Sequence, residues 1–551
     1  MNKRFQYLLE KYKFYFLPPA GIGKELQEKV EYLLKGIGNI RKDQNYTLQI
    51  TPLNYYRALR RSSIPQKGWG IKKVIDKIIL PHLGLIPNVS GGYAPSNVIP
   101  PPIIPAILAK IASTIINPNI IIDTYGGKAN EAEKEAISQI AKIIGYNPNK
   151  SAGFFTSGGA LSNYWSMRYA LEKFLPHLGE KGFLSFKKEK LVLFQSEIAH
   201  YTNINAARLL GVGTDNIINI PVREDFSLDV EIFKEKLKEA IEEKKKVFYI
   251  YLLAGSTDAF GVDDIWGVYS VCKEVCNKFG VKPPHIHIDA AVGWIYGIFL
   301  KYSLSKNPLG FDNQTLFSIK KIKQVYKNLK YADSVTVDPH KHGFTPYACS
   351  ALILKNRNDL ALLQKSEEET PYFNESIYHS FPGHYTPESS RSADAPLMSL
   401  ATLYALGMEG YQVLIGYAIQ QTNRLKKELE EESKERIKVL NISIPGVSTV
   451  WRIYPSHLKA KETFLKEFFG SSWESKNLGK KINRYNQKIF NYRKKHLTTK
   501  EHILGYSTKV IVGKSGIPIS GWKCILFHPF SDIEKIKREI LNCLKVEEYS
   551  K

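Results

Sequence analysis

A single lysine, Lys341, is notable because it follows a predicted strand and has His340 and His342 as its neighbours. Nearby cations disfavour the charged form of an ammonium group, so this lysine could have a lowered pKa and act as a nucleophile toward an aldehyde. Most lysines, however, are only solvated surface residues. The function of Lys341 therefore depends on which residues the fold brings beside it.

A turn of small residues could bind an anion. Ser157, Gly159 and Ala160 come just before a helical pattern that runs from Tyr164 to Phe174. Backbone amides at a helix N-terminus attract negative charge, and small side chains let an anion approach them. Two glycines before a helix are also typical of an ordinary tight turn. The turn alone does not define a site.

Two polar residues near predicted strand ends could bind the ring of a cofactor. His200 comes after the apolar run at 190–194, where an imidazole could stack on a flat aromatic ligand. Asp289 ends the run at 285–289, where its carboxylate could pair with a protonated ring nitrogen, and Ala291 leaves room for the ring. A structural histidine and a helix-capping aspartate are the alternative interpretations.

The run at 285–289 also allows a different hypothesis, a metal site. His285 and His287 share one face of the predicted strand, and His-x-His pairs can bind zinc or other divalent ions. His340 and His342 also alternate, but no pattern of supporting residues connects them to the first pair. We therefore expect no metal and keep a metal hydrolase as the minor alternative.

The candidate residues lie in a region of alternating strand and helix patterns. Apolar runs predict buried strands at 190–194, 247–253, 285–289 and 334–338, and amphipathic runs predict helices that include 128–144 and 233–246. This alternation indicates an α/β fold, in which ligands bind beyond the carboxyl ends of the strands. The candidate residues would then meet at one edge of a sheet.

The length of 551 residues predicts more than one structural unit. We expect an N-terminal helical and extended segment at 1–125, a large ligand-binding domain at 126–400 and a smaller α+β domain at 401–551. A helical pattern within 401–432 begins the last part.

The segment from Ser334 to Tyr347, with Asp-Pro-His-Lys-His-Gly at its centre, carries a resemblance. It is similar to the group II amino-acid decarboxylases, which use pyridoxal 5'-phosphate (PLP), and looks most like the bacterial tyrosine decarboxylases. The resemblance implies fold type I, the aspartate-aminotransferase-like fold, with a large, mostly parallel sheet and a small C-terminal domain. It also implies that Lys341 forms the Schiff base with PLP.

The resemblance implies roles for the other candidates. Asp289 would pair with the pyridinium nitrogen, His200 would stack on the ring, and Gly159 and Ala160 would offer amides to the phosphate. Further cofactor-binding residues would be Ser157, Thr257, Ala291 and His340. The family often has a hydroxyl residue and then glutamate in the phosphate turn, whereas this chain has Ala160 and Leu161.

Two functional assignments stay open within the resemblance. The family often uses a tyrosine after the lysine to protonate the substrate carbon, and Tyr372, Tyr378 and Tyr385 are the candidates, with His342 as another. Arg391 could bind an anionic group of the substrate or cofactor, or could be a structural ion-pair partner.

The composition limits the partners and the compartment. The net charge of +24 would attract polyanions, but the basic residues are spread along the whole chain and no nucleic-acid-binding motif accompanies them. No apolar stretch is long enough to span a membrane. Five cysteines without a CxxC pair indicate reduced thiols. We expect a cytoplasmic protein that binds neither nucleic acid nor membrane and, by the resemblance, forms a homodimer.

The combined expectation is an enzyme that decarboxylates an L-amino acid, with an aromatic, tyrosine-like substrate favoured. A second hypothesis is a PLP-dependent carbon–carbon lyase similar to sphingosine phosphate lyase, because the His-Lys-x-Gly segment also resembles that enzyme. A third is a catalytically silent relative that acts as a binding protein, because Ala160 and Leu161 depart from the family pattern.

Overall fold

The computed structural model describes residues 3–13, 15–17, 21, 23–42, 54–60, 63–87, 89, 92, 94–366, 368–370, 382–386 and 388–549. A large sheet with helices on both faces forms its centre, and a smaller antiparallel sheet follows near the C-terminus. The predicted α/β class with a mostly parallel sheet is confirmed.

The N-terminal part is helical. Its helices are α1 (Lys3–Lys13), α2 (Lys24–Lys42), α3 (Tyr55–Arg60), α4 (Ile71–Val74), α5 (Leu80–His82), α6 (Ile104–Ile116), α7 (Asp123–Gly126) and α8 (Lys128–Ile143). A π-helical segment, Ile75–Ile79, joins α4 to α5. Among the described residues, no helix is both long and apolar enough to cross a membrane.

The central region alternates strands and helices. Its strands are β1 (Ala152–Thr156), β2 (Leu191–Ser196), β3 (Ile217–Ile220), β4 (Lys246–Leu253), β5 (His285–Asp289), β6 (Ser334–Val337) and β7 (Ser350–Leu354). Its helices are α9 (Gly159–Phe174), α10 (Leu178–Lys181), α11 (Tyr201–Leu209), α12 (Val230–Glu242), α13 (Ile265–Phe279), α14 (Asn313–Tyr326) and α15 (Pro382–Tyr385).

The seven strands are ordered β1-β7-β6-β5-β4-β2-β3. Only β7 is antiparallel to its neighbours, β1 and β6. The four strands predicted from apolar runs are β2, β4, β5 and β6, and each is buried almost throughout. Burial on both faces explains the apolar runs of β2 and β4, whereas β5 and β6 also bury polar residues at alternate positions, such as His287 and Thr336.

One helix differs in position from its prediction. The helix expected at 233–246 is α12, which begins at Val230 because the Asp229 side chain accepts a hydrogen bond from the Glu231 amide, 3.1 Å away. It ends at Glu242, because Lys246 already begins β4. The lysine-rich run was too polar to show where the helix stops and the strand starts.

The C-terminal region contains the second sheet. Its helices are α16 (Asp394–Glu432), α17 (Ala460–Phe469), α18 (Trp473–His496) and α19 (Ile533–Asn542), and its strands are β8 (Ile437–Val439), β9 (Ser448–Ile453), β10 (Gly505–Val512) and β11 (Pro518–Ile525). The antiparallel order is β10-β11-β9-β8. Helix α16 continues through the predicted boundary at residue 400 and bends at Gly407, whose φ is 56°.

Candidate active site

A cavity of about 300 Å³ lies at the carboxyl ends of the parallel strands. The turns after β1, β2, β4, β5 and β6 all contribute to it, as expected for an open α/β sheet. Nine residues singled out in the sequence line the cavity: Ser157, Gly159, Ala160, His200, Thr257, Asp289, Ala291, His340 and Lys341. The fold therefore brings together residues from five separate segments.

Lys341 makes an ion pair inside this cavity. Its Nζ lies 2.9 Å from Oδ2 of Asp338, and its side chain is 22% exposed. Burial alone would lower the pKa of this ammonium group, but the carboxylates of Asp338 and Asp289 outweigh burial and raise the pKa above its ordinary value. The expectation of a lowered pKa was therefore wrong.

The flanking histidines explain why the pKa of Lys341 is not lowered as the sequence predicted. His340 has its Nδ1 2.6 Å from the carbonyl oxygen of Cys349, and burial lowers its pKa. His342 donates from Nδ1 to the carbonyl oxygen of Val292 at 2.8 Å, and burial lowers its pKa to about 3. Both rings are neutral near pH 7, so they add no positive charge beside Lys341. Complete burial of His342 outside the cavity also removes it as a candidate acid.

Asp289 is held by three hydrogen bonds at the end of β5. Its Oδ1 accepts from the Ala291 amide at 3.0 Å, and its Oδ2 accepts from the Tyr251 hydroxyl and from Asn163 Nδ2, the latter at 3.0 Å. Burial raises the pKa of this carboxyl group, but the charge of Lys341 and the hydrogen bond from Tyr251 outweigh burial. The pKa lies below its ordinary value, so Asp289 presents a buried negative charge to the cavity.

Asn163 connects Asp289 to the rest of the sheet, and sequence reasoning missed it. Its Nδ2 lies 3.0–3.1 Å from Asp289, Tyr251 and Thr202, and its Oδ1 lies 3.1 Å from His287 Nε2. Asn163 stands four residues after Gly159 in α9, on the same helix face. That spacing was the available signal, but it does not reveal Asp289 as the partner.

His200 is the N-cap residue of α11, and its hydrogen bonds define its tautomer. Nδ1 accepts from the Thr202 amide at 3.4 Å and lies 2.9 Å from the Thr202 hydroxyl, which itself accepts from Asn163. That hydroxyl therefore donates to Nδ1, and the ring proton of neutral His200 is on Nε2. Burial lowers the pKa of His200. A neutral, oriented imidazole at the cavity wall is suited to packing against a flat ring.

The start of α9 is shaped for close approach. The first amides of a helix have no acceptor within the helix and attract anions. At Gly159, an added Cβ would lie 2.8 Å from Asp338 Oδ1, so a larger residue would collide with that carboxylate. Asp338 Oδ1 is buried and has no hydrogen-bond partner within the described part of the chain. Glycine is therefore required here by contact with the turn that carries Lys341.

The tyrosines that line the cavity or were predicted as proton donors fall into three groups. Tyr201 and Tyr347 line the cavity, and sequence reasoning gave them no role. Tyr385, a predicted acid, lies in α15 and lines a different cavity beside Arg357. Tyr372 and Tyr378 lie outside the described residues.

The ring of Tyr347 packs against that of His340, another residue of the cavity lining. Its centroid is 4.1 Å from that of His340, and its hydroxyl donates to the carbonyl oxygen of Val98 at 3.2 Å. Burial raises the pKa of this hydroxyl. Tyr347 follows the lysine by six residues in the motif, so its position was the signal that could have identified it.

Arg391 is a structural partner. Its guanidinium group contacts both carboxylate oxygens of Glu133, with Nη2 2.9 Å from Oε2, and it also donates to the Phe155 carbonyl oxygen. Both side chains are 5% exposed. The pair ties α8 to the segment before α16, and it leaves Arg391 outside the cavity.

The histidines proposed for a metal have other partners. Nε2 of His285 and Nδ1 of His287 lie 2.7 and 2.8 Å from the same hydroxyl oxygen, that of Ser334. In the described ranges, no group of three potential ligands of the His, Cys, Asp and Glu types is suitably placed for a metal ion. The two histidines instead form part of a hydrogen-bonded chain that ends at Asp289.

The cavity fits a planar ligand with three functional groups. The start of α9 would accept an anionic arm, Asp289 would face a protonated ring nitrogen, and His200 would pack against the ring. Lys341 would reach an aldehyde. Thr257 and Ala291 also line the cavity and would contact such a ligand.

Comparisons with known proteins agree with this geometry. A model of the pyridoxal-dependent decarboxylase conserved domain matches residues 89–302 and 313–450, more than half of the chain. A glutamate decarboxylase-like protein of Gibberella zeae is 26% identical over 314 residues, which are 57% of this chain and 54% of that protein. The L-tyrosine decarboxylase of Enterococcus faecium is 27% identical over 247 residues, 42% of this chain and 40% of the relative. The chain thus spans about half the length of these curated relatives.

The fold is similar over almost the entire chain to that of a solved structure. The crystal structure of Oryza sativa TDC with PLP and tryptamine superposes with a TM-score of 0.73 and covers 97% of this chain and 100% of that one, at 14% identity. At this identity the similarity shows the fold alone.

Proposed function

Because the chain belongs to the pyridoxal-dependent decarboxylase family, we propose that it uses PLP to remove the α-carboxyl group of an L-amino acid as carbon dioxide. One observation carries the proposal: Lys341, Asp289, His200 and the start of α9 line a single cavity at the carboxyl ends of the strands. Lys341 is the lysine proposed to bind the cofactor covalently. When bound, the cofactor supplies the sink for the electron pair that remains when carbon dioxide leaves.

The buried groups support distinct roles in that reaction. Ionised Asp289 would keep a proton on the ring nitrogen, because an adjacent carboxylate favours the protonated form. Its bonds to Asn163 and Tyr251 fix the carboxylate while the substrate changes. His200 and Ala291 would hold the ring in one plane, so that the scissile bond keeps one orientation to it. Ser157, Gly159 and Ala160 would bind the phosphate mainly through the backbone.

The final step needs a proton at the substrate's α-carbon. We propose Tyr372 or Tyr347 as the donor: Tyr372 from the family pattern, Tyr347 because this residue lines the cavity. A general acid contributes roughly 10²- to 10⁴-fold to the rate. Turnover of Tyr347→Phe and Tyr372→Phe, each with its cofactor content measured, separates them. The donor's variant keeps the cofactor and loses turnover.

For the substrate we propose an aromatic L-amino acid. The described lining contains no arginine that could pair with an acidic side chain, and its uncharged wall includes Ile198, Tyr201 and Tyr347. The tyrosine decarboxylase relative supports the same class, whereas the glutamate decarboxylase-like relative is the reason to test glutamate. Faster release of carbon dioxide from glutamate than from tyrosine would contradict the aromatic assignment.

We also propose that the enzyme is a homodimer. Helix α6 packs on α16 but leaves apolar side chains in solvent, with Ile104 72%, Leu108 58% and Ile116 77% exposed. A contiguous apolar face of this kind indicates an interaction surface. Light scattering should show a dimer that Leu108→Glu weakens. The matched variant Leu184→Glu, at an 86% exposed position on another part of the surface, should not.

The five cysteines support a reducing, cytoplasmic environment for this enzyme. All five are free thiols in the structure, and all are buried. Burial raises the pKa of the Cys349 thiol to about 12, which keeps this thiol protonated and unreactive.

The decisive experiment combines cofactor trapping with product analysis. The purified protein is reduced with borohydride, and mass spectrometry locates the added cofactor mass, which we expect on Lys341. With a separate, unreduced sample, carbon dioxide and aldehyde are measured across a panel of amino acids. Carbon dioxide release supports decarboxylation, and aldehyde without carbon dioxide supports the carbon–carbon lyase. Protein that traps no cofactor supports the silent binding protein.

A further inference from the structure

A second cavity, of about 460 Å³, lies at the opposite edge of the large sheet. It is formed where β5 and β6 begin and where the antiparallel β7 ends, between the carboxyl end of α9 and helix α13. His285 and Cys272 are buried in its floor, and Asp333 is half-buried beside them. None of the cavity's residues takes part in the proposed decarboxylation.

Lysines dominate the rim of this second cavity. Its lining contains four of them, Lys173, Lys273, Lys282 and Lys355, and a single carboxylate, that of Asp333. Lys173 is paired with Asp359, with Nζ 2.5 Å from Oδ2. Within the ranges that the structure describes, the other three make no ion pair. The cavity therefore has an excess of positive charge.

The surroundings of Lys282 disfavour the charged form of its ammonium group. Its Nζ donates to the carbonyl oxygen of Lys173 at 2.6 Å and lies 5.0 Å from the centre of the Phe174 ring. Burial, and then the charge of Lys173, lower the pKa of Lys282. Burial also raises the pKa of Asp333, the one carboxylate among the described lining residues. An anion bound here would favour the charged form of Lys282 and offset its repulsion by Lys173.

A buried hydrogen-bond acceptor in the floor is the second observation. Asp289 fixes the Asn163 amide so that Oδ1 faces His287, and His287 must donate to it from Nε2. Burial lowers the pKa of His287 to about 3, so its ring is neutral and Nδ1 accepts from the Ser334 hydroxyl. Ser334 has one proton, so His285 must donate to it from Nε2.

This series of hydrogen bonds leaves Nδ1 of His285 as an acceptor without a donor. His285 is 3% exposed, and its Nδ1 has no hydrogen-bond partner among the described residues. Buried acceptors are normally satisfied by protein or by a bound molecule. A cavity lined by His285 and by three lysines outside any described ion pair suits an anion that also brings a hydroxyl or acidic proton.

We propose that this cavity is a second ligand site, which binds a small anion carrying two or more negative charges on phosphate or carboxylate groups. The ligand's oxyanion groups would lie among Lys273, Lys282 and Lys355. The site is separate from the cofactor cavity, because the two lie at opposite ends of the same strands.

The test uses borohydride-reduced holoenzyme, so that the cofactor's own phosphate already occupies the first site. Pyrophosphate and citrate are titrated separately by calorimetry into the wild type, Lys273→Gln/Lys355→Gln and the control Lys320→Gln/Lys327→Gln. The control removes the same charge from two exposed lysines of the α14 region, outside the cavity.

We expect saturable binding of at least one anion that the cavity variant weakens at least about tenfold, since two charges near the ligand each contribute on the order of 1 kcal/mol. The control should weaken it less than about twofold through long-range charge, which salt screens. The tighter anion identifies phosphate or carboxylate as the recognised group. Equal weakening in both variants, or no saturable binding of either anion, would overturn the proposal.

Discussion

The two edges of the large sheet use lysine in opposite ways. At the carboxyl edge, Lys341 lies beside Asp338 and Asp289, and their carboxylates raise its pKa despite burial. At the amino edge, Lys282 has a carbonyl oxygen, an aromatic ring and another lysine as neighbours, and its pKa is lowered. Burial acts in the same direction on both ammonium groups. The carboxylates therefore decide the difference.

One strand connects these two environments. His285, His287 and Asp289 alternate along β5 and lie on the same face of the sheet. The hydrogen-bonded chain through Ser334 and Asn163 joins them, so a negative group ends the chain at one edge and a lone acceptor ends it at the other. This arrangement suits a cationic ring nitrogen at the carboxyl edge and a proton-bearing anion at the amino edge.

The largest expected effect comes from exchanging the two lysines for alanine. Lys341→Ala should eliminate measurable turnover and borohydride trapping, because no other lysine lines the cofactor cavity among the described residues. Lys282→Ala should leave both unchanged. Carbon dioxide release and mass spectrometry of the reduced protein check the pair. Retained trapping in Lys341→Ala would mean that another lysine binds the cofactor.

The next effect concerns one aspartate in the lining of each cavity. Asp289→Asn removes the buried charge that would face the ring nitrogen, and we expect cofactor binding to weaken roughly 10- to 150-fold, the equivalent of losing a charged hydrogen bond worth about 1.5–3 kcal/mol. Asp333→Asn at the amino edge is the matched control. Cofactor absorbance after gel filtration measures both. Similar losses in the two variants would show a general effect on folding.

These first two predictions concern the edge that the sequence revealed. Asp289 ends β5, and His200 and Lys341 come shortly after β2 and β6, so each could be singled out from its local sequence. The lysines of the amino edge look like ordinary solvated residues, because Lys173, Lys282 and Lys355 are far apart in the chain. Their common cavity exists only after the strands are ordered.

Prediction from the sequence failed where a property of one residue depends on a contact partner that is distant in the sequence or on burial. Asn163 and Asp289 are separated by 126 positions, and nothing local to Asn163 indicates the bond. The pKa of Lys341 was predicted in the wrong direction because adjacent histidines are visible in the sequence, whereas their burial and neutrality are not. Arg391 was left undecided for the same reason, since Glu133 is its partner only in the fold.

A smaller effect is expected from interrupting the series of hydrogen bonds that runs between the two edges of the sheet. Ser334→Ala leaves nitrogens of both His285 and His287 without partners, and each buried unsatisfied group costs about 1–3 kcal/mol of unfolding free energy. Ser318→Ala removes one buried acceptor, that of Asn423, and should cost about half as much. Urea denaturation measures the difference. Cofactor binding should change little in Ser334→Ala, and a large loss would show that Asp289 depends on the whole chain.

The smallest effect is a shift in pH dependence at Lys341. Asp338 raises the pKa of this lysine, so the ammonium form persists to higher pH, and the stabilising ion pair is present below that pKa and lost as the pH rises through it. Asp338→Asn lowers the pKa, so the neutral amine needed to capture an aldehyde is available at lower pH.

We therefore expect the rate of cofactor uptake by apoenzyme to increase severalfold near pH 7 in Asp338→Asn, with its pH profile displaced toward acid. Stopped-flow absorbance between pH 6 and about pH 10, a range that spans the ordinary lysine pKa and the values below it, measures this displacement. Asp338 also lies beside the start of α9, so its removal could speed uptake by reducing repulsion of the cofactor's phosphate. The loss of this repulsion would raise the rate by the same factor at every pH. A uniform increase without displacement would therefore show that Asp338 acts on the incoming anion and not on the lysine.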